Sequence, residues 1–240
     1  MVCPAALQPL TGLEFYFLAR VPALLQSSQK KRVVAFIDGY NLYHAIDDAG
    51  RHDLKWLDLW KLCEQLIKND PRAELTGVFY FSAFATWKPE QYARHRLYVE
   101  ALKTRNVKVI LGNFKKKPRQ CKRCLTEWTA HEEKESDVNI AIHLLDRAHR
   151  NEFDEALIIS GDTDLTPALW MVRNAFKDKS LVTVLPPGRQ FVNSLINAAH
   201  GKIRLSFELL AKCQFLDTIV ARNGHPIQCP EKYRLKRKIK

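Results

Sequence analysis

Two stretches of this chain stop in the same way. Val33-Val34-Ala35-Phe36-Ile37 runs into Asp38-Gly39-Tyr40-Asn41, and Ala156-Leu157-Ile158-Ile159 runs into Ser160-Gly161-Asp162-Thr163-Asp164. Short unbroken apolar runs suit strands buried on both faces of a parallel sheet. The glycine and aspartate behind them are turn chemistry, and each run hands over to a helical segment. In open α/β sheets, sites lie beyond the carboxyl ends of the strands. Asp38, Asp162 and Asp164 are therefore candidates for one site. A helix N-cap is the ordinary role of any single acid so placed. Two carboxylates ~6 Å apart, however, repel by roughly 3 kcal/mol at an effective dielectric of about 20. A cluster of them calls for a cation.

Asp137 is a further candidate. It stands at the start of a helix expected over Ser136 to Arg150, three and four residues ahead of Ile140 and Ala141. Those two, with Leu144, Leu145 and Ala148, mark the inward face, so Asp137 lies on that face one turn nearer the N-terminus. An acid there needs a partner, unless it serves only the helix dipole. Glu132, Glu133 and Glu135 read as solvated.

The remaining chain alternates strands and helices. Strands are expected at Leu75–Phe84, Val107–Leu111, Leu181–Leu185 and Ile203–Leu205. Helices are expected at Leu54–Ile67, Pro89–Arg105, Leu165–Phe176, Gln190–Ala199 and Phe207–Cys213. This order predicts a three-layer α/β fold with a mainly parallel central sheet. Residues 30–213 would form the domain. Residues 1–29 would be an N-terminal extension, 112–132 an irregular insert, and 214–240 a basic tail.

Of 240 residues, 46% are hydrophobic and 27% charged, as in a soluble globular protein, and the net charge is +12. Lys115, Lys116, Lys117, Arg119, Lys122 and Arg123 fall within nine residues of the insert, and Cys213 to Lys240 carries seven basic residues against Asp217 and Glu231. A near-neutral body with two basic patches is the electrostatic pattern of a polyanion binder. The first patch has no aromatic and the second only Phe215 and Tyr233, so stacking on bases should be minor there. No run approaches the ~20 apolar residues of a membrane span, and Leu13 to Leu25 lacks the features of a signal peptide. A cytoplasmic location is expected, with the six cysteines as thiols or metal ligands. Cys121-x-x-Cys124 has the spacing of a structural zinc site, with His131 the one further ligand nearby. The fourth ligand is missing, so free thiols or a reversible disulfide are the preferred reading.

Three motifs together resemble those of the NYN domain, in the LabA-like (DUF88) branch of the PIN-like nucleases. They are Val34-Ala-Phe-Ile-Asp38-Gly-Tyr-Asn41, Glu133-Lys-x-x-Asp137-Val and Ile158-Ile-Ser160-Gly-Asp162-Thr-Asp164-Leu-x-Pro167. The resemblance spans roughly Lys30 to Cys213. It implies a PIN-like sheet and Mg²⁺- or Mn²⁺-dependent cleavage of RNA, with the acidic positions at Asp38, Asp137, Asp162 and Asp164. Hard cations prefer such carboxylate oxygens. Asn41, Ser160 and Thr163 would orient carboxylates or waters. Lys134 suits a substrate phosphate, although a solvated lysine is the plainer reading, and the basic insert would supply RNA affinity. The rival is a non-catalytic RNA-binding or adaptor module on the same fold. A Toprim-type phosphotransfer enzyme is disfavoured, because such sites want a glutamate where this chain has Asp38.

Overall fold

The computed structural model describes residues 30–234, and the expected N-terminal extension lies outside them. The chain builds one seven-stranded sheet in the order β4-β3-β2-β1-β5-β6-β7. Its strands are β1 (Lys31–Asp38), β2 (Ala73–Ala83), β3 (Lys108–Gln120), β4 (Glu127–Lys134), β5 (Glu155–Ile159), β6 (Ser180–Leu185) and β7 (Gly201–Arg204). Every neighbouring pair is parallel except β3 with β4. The expected α/β architecture with a mainly parallel central sheet is present.

Alternate residues of β1 enter two cores. Val33, Ala35 and Ile37 pack with α1 (Gly39–Asp48), α2 (Leu59–Ile67), α3 (Pro89–Thr104) and α7 (Phe207–Lys212). Val34 and Phe36 pack with α4 (Ser136–His149), α5 (Thr166–Ala175) and α6 (Asn193–Ala198). This is the period of two along a strand, applied to a sheet covered on both faces. The chain leaves β1 to one side through β2 and β3, then returns to the other side through β5, β6 and β7. The order therefore reverses between β1 and β5, which is where such sheets open a crevice. Ile37 is level with Ile159, so Asp38 and Ser160 leave the sheet side by side.

Several expected boundaries shift, each for a physical reason. The helix expected from Leu54 starts only at Leu59, because Asp58 is its N-cap and accepts the Lys61 amide at 3.0 Å. Trp56 and Leu57 are buried before it, Trp56 in a bend and Leu57 in a β-bridge to Gln214. The helix expected from Gln190 starts at Asn193.

The insert is not irregular. β3 continues past the body to Gln120, and β4 returns in register from Gln120↔Glu127 to Asn113↔Lys134. β2 stops pairing at Gly112, so the far half of β3 has a free edge, and Pro118 is tolerated there. With both faces largely in solvent, this hairpin has no apolar alternation to betray it.

The stretch after residue 213 is also more than a tail. Phe215, Ile227, Cys229 and Tyr233 join the core around α1, α2 and α3. Ile227 comes from a small hairpin, β8 (Thr218–Val220) and β9 (Pro226–Gln228), with Phe215 before it and Cys229 and Tyr233 after it. Lys236, Arg237, Lys238 and Lys240 of the expected basic tail lie outside the described residues.

Candidate active site

Asp38 is the last residue of β1 and the N-cap of α1. Only 4% of it is exposed. One carboxylate oxygen accepts the Asn41 amide at 2.9 Å, and the other accepts the Ser160 hydroxyl at 2.9 Å. Gly39 follows because nothing larger fits: a Cβ there would lie 2.4 Å from the Tyr80 ring and 2.7 Å from the Phe81 carbonyl. The β5 loop is tied to the same place. The Gly161 amide donates to the Asn41 side chain at 3.0 Å, and the Asp162 amide donates to Ser160 Oγ at 3.0 Å. Asp162 in turn caps the next turn, accepting the Asp164 amide at 2.9 Å.

Asp137 arrives from the opposite side, in the first turn of α4. Oxygens of Asp38, Asp137 and Asp162 all lie within 4.8 Å of one another. Three separate elements thus converge on one point. Among the described residues none of the four aspartates makes an ion pair.

The electrostatics register this crowding. Burial pushes Asp38 up to about 6 against the pull of its hydrogen bonds to Asn41 and Ser160, and the charges of Asp162 and Glu133 push the same way. Burial also raises Asp137 to about 6, helped by Asp162, Asp38 and Asp164. Glu133 is raised too, first by burial and then by Asp137 and Glu135, while its hydrogen bond from Ser136 opposes the shift. Unpaired carboxylates that hold protons this tightly form a donor set suited to a hard divalent cation.

The other expected site residues fall into two groups. Ser160 does orient a carboxylate. Asn41 does so too, through its backbone amide on Asp38, and its side chain also locks the β1 and β5 loops together. Asp164 and Thr163 are exposed, and Asp164 stands outside the converging trio although Asp137 feels its charge. Lys134 sits on the hairpin, 3.3 Å from Glu132, which also holds Lys117 at 3.1 Å and Arg119 at 2.6 Å. These three cations depress Glu132 to about 2. Lys115, Lys116, Lys122 and Arg123 are exposed on the same arm.

His131 is not beside the cysteines. It stacks on Trp87 at 3.7 Å and 10° between planes, four register pairs from the hairpin loop. A zinc site of Cys121, Cys124 and His131 within one chain is therefore ruled out by position. Trp87 also meets Phe114 edge-on at 4.6 Å, and Phe114 meets Tyr40 at 5.6 Å. An aromatic run thus leads from the residue two beyond Asp38 towards the basic arm. Sequence reasoning missed this run, because its members are far apart in the chain. It also read Glu133 as solvated, whereas Glu133 is half-buried at the end of β4, four residues before Asp137, and takes the Ser136 hydroxyl.

A family model for the NYN domain matches residues 32–206. The chain belongs to the NYN domain family. Its acidic cluster sits in a domain of the PIN-like nuclease superfamily. This NYN protein is also 28% identical over 234 aligned residues to 6-hydroxy-3-succinoylpyridine 3-monooxygenase HspA of Pseudomonas putida (strain DSM 28022 / S16), covering 81% of this chain and 73% of the relative. The fold is shared with a crystal structure of a protein of unknown function, VPA0982, from Vibrio parahaemolyticus RIMD 2210633. That match has a TM-score of 0.52 at 19% identity and covers 77% of this chain and 98% of the other. Among the described residues, no helix is long and apolar enough to cross a membrane.

Proposed function

We propose that this NYN protein is a metal-dependent endoribonuclease of the LabA-like branch, acting in the cytoplasm. The convergence of Asp38, Asp137 and Asp162 within 4.8 Å carries the proposal. Asp38 and Asp162 would hold Mg²⁺ or Mn²⁺, with Asp137 and Glu133 completing the negative pocket and Asp164 at its rim. Such an ion, when bound, supplies a hydroxide nucleophile and neutralises charge on the phosphate. The protein's own part is positional. Ser160 fixes the Asp38 carboxylate, and the lock between Asn41 and Gly161 keeps the two strand ends at constant separation. Lys115, Lys116 and the neighbouring cations of the arm meet RNA phosphates without reading sequence. Tyr40, Phe114 and Trp87 offer unpaired bases a surface between arm and acids. Incubating the pure protein with mixed RNAs and Mn²⁺, Mg²⁺ or EDTA tests this, with Asp162→Asn as control.

The named relative supports a second reading, oxygenation of a hydroxylated pyridine carrying an acid side chain. A cleft of about 60 Å³ lined by Tyr40, Tyr43, Tyr80, His95, Tyr98 and Arg94 opens beside Gly39, and it would have to widen to take such a ring. The carboxylate-only cluster suits this less well, since non-haem iron oxygenases use two histidines with one carboxylate. Oxygen uptake on adding 6-hydroxy-3-succinoylpyridine and a two-electron reductant would favour it over RNA cleavage.

A further inference from the structure

The loop at the tip of the hairpin, residues 121–126, has no role in the acid site. Its backbone is tightly specified. The Cys121 amide donates to the Thr126 carbonyl at 2.9 Å, and the Leu125 amide donates to the Cys121 carbonyl at 2.9 Å. Leu125 is held at φ 56°, a left-handed conformation that a bulky side chain rarely adopts. A residue in this conformation is a common way for a short hairpin loop to close. Its effect is to fold the chain back so that both thiols lie on the same turn. Both are free, and Cys124 Sγ lies 3.2 Å from the Thr126 hydroxyl. Hydrogen bonds from Thr126 and then Cys121 lower the Cys124 thiol to about 7.

Two sulfurs from one turn are half of a tetrahedral zinc site, which takes four N or S ligands. The other half is not supplied by the described residues of the same chain. The only group of three or more metal-ligating side chains among them is the aspartate trio, and His131 stands roughly 13 Å back along the strand at ~3.3 Å per residue. The arm is built to meet something beyond the body. Residues 115–120 and 122–129 are exposed, and they include Leu125 at 66% and Trp128 at 52%.

We propose that the Cys121-x-x-Cys124 turns of two copies of this chain together bind one zinc ion, joining the copies tip to tip. Four thiolates around Zn²⁺ carry a net charge of −2. Lys122 and Arg123 from each copy stand next to the ligands and offset it. Without the metal the same four cations repel, so association depends on zinc. Leu125 and Trp128, one pair from each copy, lose water exposure at the junction.

The test uses the full chain, purified under reducing conditions without chelator, with zinc content and solution mass measured on the same sample. The expected result is one zinc per two chains in a dimer. A strong chelator should give a zinc-free monomer with unchanged circular dichroism. Cys121→Ser and Cys124→Ser should each be folded, monomeric and at least 100-fold weaker for zinc. Cobalt in place of zinc should show the absorption of a tetrahedral thiolate site. A full zinc equivalent on a monomer, a dimer that survives both serine variants, or a reduced protein that takes up no zinc would each overturn the proposal. So would an intrachain Cys121–Cys124 disulfide as the stable zinc-free form in the presence of added zinc and reductant. RNA cleavage is not read in any of these measurements, so failure here leaves the nuclease proposal standing.

Discussion

The Ser160 hydroxyl donates to one oxygen of Asp38 at 2.9 Å and accepts the Asp162 amide at 3.0 Å, joining the ends of β1 and β5 through a single atom. Ser160→Ala removes the bond to a buried charged acceptor, an interaction of about 1.5–3 kcal/mol. The bond holds the Asp38 pKa down, so its loss raises it further. Metal-dependent cleavage should fall about 10-fold or more at neutral pH, and more metal should be needed for half-maximal rate. Ser160→Thr, which keeps the hydroxyl, should recover part of both.

Metal-free stability should depend on pH in an unusual direction. Asp38 and Asp137 titrate near 6 in the fold, against an ordinary 3.8. Between these values the native state holds protons that the unfolded chain has released. Stability from these groups therefore declines as pH rises from ~4 to ~6 and stays low above. Melting curves in EDTA should show it. Mn²⁺ should raise the melting temperature more at pH 7.5 than at pH 5, because it replaces those protons. A gain that is the same at both values would contradict the metal-site assignment.

Asp137 adds a sharper case. It is half-buried, raised, and accepts no hydrogen bond among the described residues. Asp137→Asn should make the metal-free protein more stable at pH 7.5, by about 1 kcal/mol once solvent screening is allowed for. The same change should abolish most of the stabilisation by Mn²⁺. Thermal melts with and without metal check both halves.

Much of the fold and of this site was legible because each element announces itself locally. β1 and β5 are unbroken apolar runs ended by acid and glycine, and α4 has a clean inward face behind Asp137. The arm was not legible. A hairpin with solvent on both faces carries no alternation, and its lysine run reads as loop. Asp58 hid the true start of α2, since Trp56 and Leu57 continue the apolar pattern in front of it. Phe215 and Tyr233 looked like part of a tail because packing against Trp56 and Tyr43 is a property of the fold, not of their neighbours in sequence. The same holds for Trp87, which reaches the arm only through Phe114 and His131.

Salt dependence should separate the arm from the acids. Lys117 and Arg119 are engaged by Glu132, whereas Lys115 and Lys116 make no ion pair among the described residues. Replacing Lys115 and Lys116 with alanine should weaken RNA binding for all sequences alike. The slope of log affinity against log salt should become shallower by about 1.4, at ~0.7 per lost phosphate contact. Turnover at saturating RNA should hold. Filter binding over a salt series measures the slope, and an unchanged slope would place the RNA elsewhere.

Trp87→Ala should behave differently from the lysine variant. Loss of a base-stacking surface costs ~1–3 kcal/mol per base, so affinity for single-stranded RNA should drop about 10-fold with the salt slope intact. Trp87→Phe should lose less. Equal affinity of all three proteins would show that the aromatic run serves packing alone.

The most direct measurement is cleavage of a single-stranded RNA by wild type and by Asp162→Asn, each in Mn²⁺, Mg²⁺ and EDTA. Asparagine keeps an oxygen for the Asp164 amide that Asp162 now accepts at 2.9 Å, so the turn should survive while one ligand charge is lost. The expected outcome is cleavage by the wild type with either metal, none in EDTA, and a loss of at least 100-fold in the variant, whose melting temperature in EDTA should be no lower than the wild type's because the charge that raises Asp38 and Asp137 is gone. Cleavage that persists in EDTA, or equal activity in the two proteins, would contradict a metal-dependent nuclease built on Asp38, Asp137 and Asp162.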